Sequence, residues 1–292
     1  MNLSEVLKAM VTPFNEDESV NYERAGELAE YLVNNGSDGL VVLGTTGEVP
    51  TLTTAEKVKL LEVVKDRVGE RAKIVAGTGS YSTAESIKMT KKAEEIGVDG
   101  VMLVTPYYNK PPQRALDNHF RLVAQETDLP IILYNVPSRT GRNLAPETVA
   151  ELATVDNIVA VKEASGDVSQ ATKINALTDE SFDIYSGEDC LTLPILAVGG
   201  TGVISVASHL VGAEIKEMVQ AYKSGNVEVA KDKNAELQEI FNAMFISTNP
   251  IPVKAALNMV GQEVGPVRPP LLDLEEELKE KLKNILGENR LL

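Results

Sequence analysis

The chain has 292 residues, 43% of them hydrophobic and 24% charged, with a formal net charge of −15 and a pI near 4.7. This acidity is broken by no Lys/Arg-rich run, which argues against a polyanionic partner such as nucleic acid, and no apolar run nears the ~18 residues a membrane span needs. A single cysteine, Cys190, excludes an intrachain disulfide framework and fits a reducing compartment.

The opening MNLSEVLKAMVTPF has no basic stretch followed by an apolar core, so no signal peptide is expected and a cytoplasmic location is the default. The first apolar run, LKAMVTPF (7–14), is followed by a helical stripe of Ala25, Leu28, Ala29, Leu32 and Val33. DGLVVLGTTGE (38–48) comes next and leads to Thr53-Thr-Ala-Glu56, a capping box opening a second helix. KIVAGTGS (73–80) leads to a similar box, Ser82-Thr-Ala-Glu85, and Gly36, Gly69 and Gly97 fall where helix C-caps belong. Five more runs follow: DGVMLVTPYYN (99–109), PIILYNVPSRTG (130–141), IVAVKEASGD (158–167), FDIYSGED (182–189) and TGVISVAS (201–208). They start roughly 20 to 35 residues apart, the length of a strand, a crossover helix and two loops. Being apolar on both parities, they suit a parallel sheet covered by helices.

Eight such units predict a (β/α)8 TIM barrel of class α/β. A doubly wound sheet is the runner-up, but no GxGxxG follows the first strand. Beyond about residue 210 the strand signal stops, and 213–224, 226–247, 250–260 and 274–287 read as helices, with the Pro-rich VGPVRPPLLDL as a connector. The expected division is a catalytic barrel over 1–224 and a C-terminal α-helical extension over 225–292.

In such a barrel the chemistry lies at the C-terminal ends of the strands. Those ends gather Thr45, Thr46 and Glu48; Tyr107, Tyr108 and Asn109; Tyr134, Asn135 and Arg139; Lys162 and Glu163; Ser186 and Gly187; Ile204 and Ser205. Strand alternation puts Lys162 on the side of Ile158 and Ala160, with Val159 and Val161 opposite. Two readings compete for it. An amine enclosed in an apolar barrel loses hydration, its pKa falls, and the neutral form can attack a carbonyl to make a Schiff base. Alternatively the lysine surfaces to water or pairs with Glu163, the reading that position alone favours. Tyr134, at the same height on the preceding strand, could shuttle protons for such an amine or simply pack. The Thr45-Thr46-Gly47-Glu48 turn can bind a carboxylate through hydroxyls and backbone N–H groups, or be a plain turn. Arg139 offers a bidentate carboxylate clamp or is solvated surface. The Gly77-Thr-Gly79-Ser80 loop matches no phosphate-binding fingerprint and reads as a turn. With only His119 and His209 present, no His-based metal site or triad is expected. Metal-free chemistry on Lys and Tyr remains.

GTTGE, PYYNKP, LYNVPSRTG, VKEASGD and SGED, in this order, together with NPIPVKAALNMVG (249–261), resemble the dihydrodipicolinate synthase family of pyruvate-dependent class I aldolases and lyases. The resemblance spans essentially the whole chain. It implies condensation of pyruvate with aspartate semialdehyde, the committed step toward diaminopimelate and lysine. Lys162 would carry pyruvate as a covalent imine, with no other cofactor. Tyr134 would relay protons, linked through Thr45 to Tyr108, which the family supplies across a tight-dimer interface. Thr46 would hold the pyruvate-derived carboxylate, Arg139 the semialdehyde carboxylate, and Gly187 and Ile204 would line the pyruvate pocket. A homotetramer built as a dimer of dimers is implied. An N-acetylneuraminate lyase or 2-keto-3-deoxy sugar acid aldolase is the alternative and would share Lys162 and Tyr134; Arg139 in SRTG suits a small carboxylated aldehyde better. A catalytically silent barrel would need Lys162, Tyr134 or Thr45 to be lost, and all are present.

The effector cleft departs from the lysine-inhibited members. Where those carry Ser-Ala, two histidines and an asparagine, this chain has Val49-Pro50, Thr54 and Lys57, and Tyr81, while Glu85 and Tyr107 are retained. An ammonium group at position 57 would face a cationic effector, so weak or absent inhibition by lysine is expected.

Overall fold

A computed structural model describes residues 4–292. Strands and helices alternate from the start: β1 (Val6–Ala9), α1 (Tyr22–Asn34), β2 (Gly39–Val42), α2 (Thr54–Val68), β3 (Lys73–Gly77), α3 (Thr83–Ile96), β4 (Gly100–Val104) and α4 (Gln113–Ala124). Then come β5 (Ile131–Asn135), the one-turn α5 (Pro137–Thr140), α6 (Pro146–Leu152), β6 (Ile158–Glu163), α7 (Val168–Leu177), β7 (Asp183–Ser186), α8 (Thr192–Ala197) and β8 (Gly202–Ser205). The helices α9 (Ser208–Lys223), α10 (Val227–Ala243), α11 (Ile251–Met259) and α12 (Glu276–Glu288) complete the chain. The eight strands follow chain order in a closed barrel, so the fold is a (β/α)8 barrel and not a doubly wound sheet.

The chain divides into two compact units, one of Lys73–Ile204 with Ser4 and Glu5, the other of Val6–Ala72 and Ser205–Leu292. In the first unit β3 to β8 pair in parallel, and Val75, Val101, Ile131, Ile132, Leu133 and Val161 are fully buried. Each strand there is apolar on both sides because helices cover the outer face. Tyr134 stands opposite Lys162 and Asn135 opposite Glu163 in the β5–β6 register. The alternation expected from Ile158 onward is interrupted: Ile131 faces Ile158 and Ile132 faces Ala160, so β6 carries an extra residue at Val159. Such a bulge re-aims the side chains beyond it on the strand.

In the second unit β1 pairs with β2, and α1 packs on α2 and α9 on α10. Local signals act largely as read. Thr53 and Glu56 form a complete capping box, whereas at α3 Ser82 accepts from the Glu85 N–H but the Glu85 carboxylate turns to Lys88, at 3.9 Å. Gly69 and Gly97 are C-caps; α1 ends one residue earlier than expected, at Asn35, with Gly36 following at φ +80°. Helix α10 stops at Ala243, short of the expected 247, where Ser247, Thr248 and Asn249 approach Pro250. Short polar side chains and a residue before proline both disfavour continued helix. Arg139, expected in a loop, sits on α5, a turn started by Pro137 and ended by Gly141 at φ +68°. Among the described residues no helix is long and apolar enough to cross a membrane.

Candidate active site

Lys162 ends the apolar part of β6 and is 5% exposed. Its ammonium nitrogen lies 4.6 Å from the centroid of the Tyr134 ring, consistent with their opposed positions in the register. Burial lowers its pKa from 10.5 to about 8; Asp189 opposes the shift and Arg139 adds to it. The reading of a lysine surfacing to water is therefore excluded, and a substantial neutral fraction exists near pH 8. Gly187 makes room for the lysine stem. A β-carbon there would stand 3.1 Å from Lys162 Cε and 2.5 Å from Ala164 Cβ, so a larger residue would force a shift at Ala164 and crowd the lysine stem. Ile204, on β8, is fully buried, and Asp189 is 2% exposed.

Glu163 does not serve as the partner of Lys162. Its carboxylate accepts from Asn135 Nδ2 (3.0 and 3.2 Å), Gln170 Nε2 (2.8 Å) and the Ser165 N–H (2.7 Å). Asn135 Nδ2 also donates to Asn143 Oδ1 (2.8 Å), Asn143 Nδ2 donates to Gln170 Oε1 (2.7 Å), and the Leu144 N–H donates to Asn135 Oδ1 (2.9 Å). This buried network ties the ends of β5 and β6 to α7 and to the segment after α5. Arg139, on α5, is exposed, as a residue meeting an incoming anion must be. Burial, with help from Glu163 and Asp189, pushes the Glu188 carboxyl up, and burial pushes the Cys190 thiol up.

Around β3 and β4 the first unit carries three of the residues expected in an effector cleft. The Tyr81 and Tyr107 rings meet edge to face with centroids 5.3 Å apart, and burial raises the Tyr107 phenol. Glu85 is exposed on α3. Tyr108 is 91% exposed and held at φ +70°, a left-handed backbone rare for a bulky residue.

In the second unit Thr45, Thr46 and Gly47 form a single 3-10 turn after β2. Thr45 is half-buried and Thr46 is 2% exposed. Glu48, at φ +54°, ends this turn with a buried carboxylate. That carboxylate accepts from Lys254 Nζ (3.0 Å) and from the Arg268 N–H (2.8 Å). Lys254 Nζ also donates to the Thr12 carbonyl (3.0 Å), and Thr12 Oγ1 donates to the Gly47 carbonyl (2.7 Å). Burial lowers the Lys254 pKa against the opposing pull of Glu48. Asn249 Nδ2 donates to Thr46 Oγ1 at 3.0 Å. The sequence alone does not single out Asn249, Lys254 and Arg268; their only signal is their place in the family-like NPIPVKAALN stretch and in the Pro-rich connector. Lys57 lies half-buried on α2.

The two histidines are structural. His209 Nε2 accepts from the Val11 N–H and its Nδ1 faces the Val206 carbonyl at 2.8 Å, while His119 Nδ1 meets Thr83 Oγ1 at 2.9 Å; burial lowers both pKa values to about 4. Among the described residues no group of three His, Cys, Asp or Glu could hold a metal ion.

A (β/α)8 barrel with a desolvated lysine against a tyrosine on the neighbouring strand has the groups that a lyase working through a Schiff base needs. The particular family emerges from comparison: the sequence profile of the Dihydrodipicolinate synthetase family matches residues 2–289, and the chain belongs to that family. It is 54% identical over 292 residues to the 4-hydroxy-tetrahydrodipicolinate synthase of Desulforudis audaxviator (strain MP104C), covering all of this chain and 99% of that one. Among solved structures, dihydrodipicolinate synthase from Cyanidioschyzon merolae with lysine bound superposes with a TM-score of 0.98 at 45% identity, covering 99% of both chains. The chloride-inhibited enzyme from Acinetobacter baumannii complexed with pyruvate gives a TM-score of 0.97 at 35% identity, covering both chains fully.

Proposed function

We infer that this chain condenses pyruvate with L-aspartate 4-semialdehyde to give 4-hydroxy-tetrahydrodipicolinate, the committed step of diaminopimelate and lysine biosynthesis. The observation that carries the mechanism is the buried Lys162 amine, with a pKa of about 8, set against Tyr134. The neutral amine attacks C2 of pyruvate, water leaves, and an imine forms on Nζ. Loss of a methyl proton gives an enamine whose carbon attacks the aldehyde; the semialdehyde's own amino group then attacks the imine carbon, and ring closure expels the Lys162 amine. Tyr134, whose ring lies against Nζ, is proposed to carry protons in these steps. Enclosure in the barrel favours the neutral amine before attack. Asp189, buried nearby, favours the cationic imine once formed.

Arg139 is proposed to hold the semialdehyde carboxylate, a bidentate task that its exposed position on α5 permits. Gly187 and Ile204 would bound the pyruvate pocket. Thr46 would hold the pyruvate carboxylate, and Thr45 and Tyr108 would extend the proton relay; family resemblance and side-chain chemistry support these roles. No dissociable cofactor enters the proposal. A homotetramer and a cytoplasmic location complete it, as does weak response to lysine, since Lys57 adds positive charge to the proposed effector cleft.

Borohydride reduction in the presence of pyruvate tests the central step. A mass increase confined to Lys162, lost in Lys162→Met, is expected, together with turnover of the semialdehyde. An enzyme that turns over without a trapped adduct would rule out the imine route. Cleavage of sialic acid or a keto-deoxy sugar acid faster than semialdehyde turnover would favour the alternative family members, and loss of Arg139 should spare trapping while raising the KM for the semialdehyde.

A further inference from the structure

Thr46 and Asn249 are 203 residues apart in sequence, both buried, and joined by a bond whose direction matters. A threonine hydroxyl has one hydrogen to give and an oxygen that can accept. Here Asn249 Nδ2 donates to Thr46 Oγ1 at 3.0 Å, which occupies the oxygen as acceptor. The hydroxyl hydrogen must then point elsewhere. We propose that Asn249 is a positioning residue that keeps Thr46 a hydrogen-bond donor, aimed at the carboxylate of pyruvate. The proposal rests on the reading that Thr46 binds that carboxylate.

The surroundings make the arrangement rigid. Asn249 stands just before α11, and α11 is anchored to the threonine turn through Lys254, which donates to Glu48 Oε1, to the Thr12 carbonyl and to the Pro266 carbonyl (2.5 Å). Glu48 closes the turn that begins at Thr45, and Thr12 holds the Gly47 carbonyl at 2.7 Å. The amide therefore meets the hydroxyl from a fixed place. A protein of net charge −15 must meet an anionic substrate with oriented donors, and a donor free to rotate toward a competing acceptor would be a poor one.

Asn249→Asp gives the sharpest test because it keeps the shape and reverses the polarity. A carboxylate only accepts, so it would take the Thr46 hydrogen and add a negative charge. The readout is the pyruvate concentration giving half-maximal borohydride trapping on Lys162, with thermal midpoints measured alongside. Asn249→Ala should raise that concentration ~10-fold and Asn249→Asp more, on the order of 100-fold, the range for bonds to charged groups. In a Thr46→Val background Asn249→Ala should have no further effect and Asn249→Asp should keep only the part due to its charge, while the KM for the semialdehyde should move little with Asn249→Ala. If Asn249→Asp binds pyruvate as well as wild type or better than Asn249→Ala, the amide does not set the hydroxyl as a donor. If the effects of Asn249→Ala and Thr46→Val multiply, Asn249 does not act through Thr46. If Thr46→Val leaves half-saturation unchanged, the carboxylate reading of Thr46 fails and this proposal with it. Should Asn249→Ala not fold, the isosteric Asn249→Asp against wild type decides alone.

Discussion

Lys162 carries its own energetic cost. Its pKa falls from 10.5 to about 8 on folding, chiefly through lost hydration, so the unfolded chain binds this proton more tightly than the folded one. The penalty is complete below pH 8, shrinks as the pH rises toward 10.5, and amounts at most to about 3 kcal/mol at 1.36 kcal/mol per unit. Replacing the lysine by an apolar residue of similar length should therefore stabilise the protein while removing its activity, a trade commonly made at active sites. Lys162→Met is expected to melt a few degrees above wild type at pH 7, with the gain fading toward pH 10. Equal or lower stability at pH 7 would show that the ammonium is not the strained group that burial makes it. The sequence offered this lysine because an apolar strand ran into it and Tyr134 stood at equal height. It offered no such signal for Asn249 or for the Asn135–Glu163–Gln170 network, whose meaning lies in partners that only the fold brings near. Polar residues at strand ends look alike until their acceptors are known.

Among the elements, strands were legible and their fine register was not. Eight apolar runs of the right spacing dictate eight strands, but the extra residue at Val159 has no mark in the sequence, because a bulge depends on the partner strand as much as on its own. The helices after β8 show the same divide. They follow from periodicity, whereas the buried pair that joins α11 to the turn after β2 does not. Lys254 of α11 meets Glu48 at 3.0 Å with both side chains 2% exposed, and the Lys254 amine also sits 4.2 Å from the centroid of the Phe14 ring. Beside them Arg268, from the connector, bonds Glu56 at 2.8 Å and holds its carboxyl at about 2. Removing one member of a buried pair leaves an uncompensated charge, which costs on the order of 3–5 kcal/mol. Lys254→Met should thus lower stability by about that much in denaturant melts, and the double variant Lys254→Met/Glu48→Gln should recover most of the loss. A double variant no better than the single one would mean that Lys254 acts by packing against Phe14 and not by neutralising Glu48.

For the whole molecule, the residue to test is Tyr108. Tyr108 is a large aromatic side chain, 91% exposed, on a backbone at φ +70°. Strained conformations persist where something over-determines them, and an exposed tyrosine gains nothing from its strain within its own chain. A contribution to a neighbouring copy's proton relay, the role proposed for it above, would account for both features. Activity should then depend on association. Specific activity measured against enzyme dilution is expected to fall as the proposed dimer parts, in step with the mass seen by sedimentation, and Tyr108→Phe should slow turnover at concentrations where the assembly is intact. The same titration repeated with millimolar lysine checks the proposed effector cleft. The family resemblance would group Lys57 with Tyr81, Tyr107 and Glu85, where an ammonium group in place of a histidine would disfavour a cationic effector. Neither the rate nor its dilution curve should change with lysine. Full specific activity in a dilute monomer would remove Tyr108 from the relay, and inhibition at submillimolar lysine would show that Lys57 is neutralised by a partner when the effector binds.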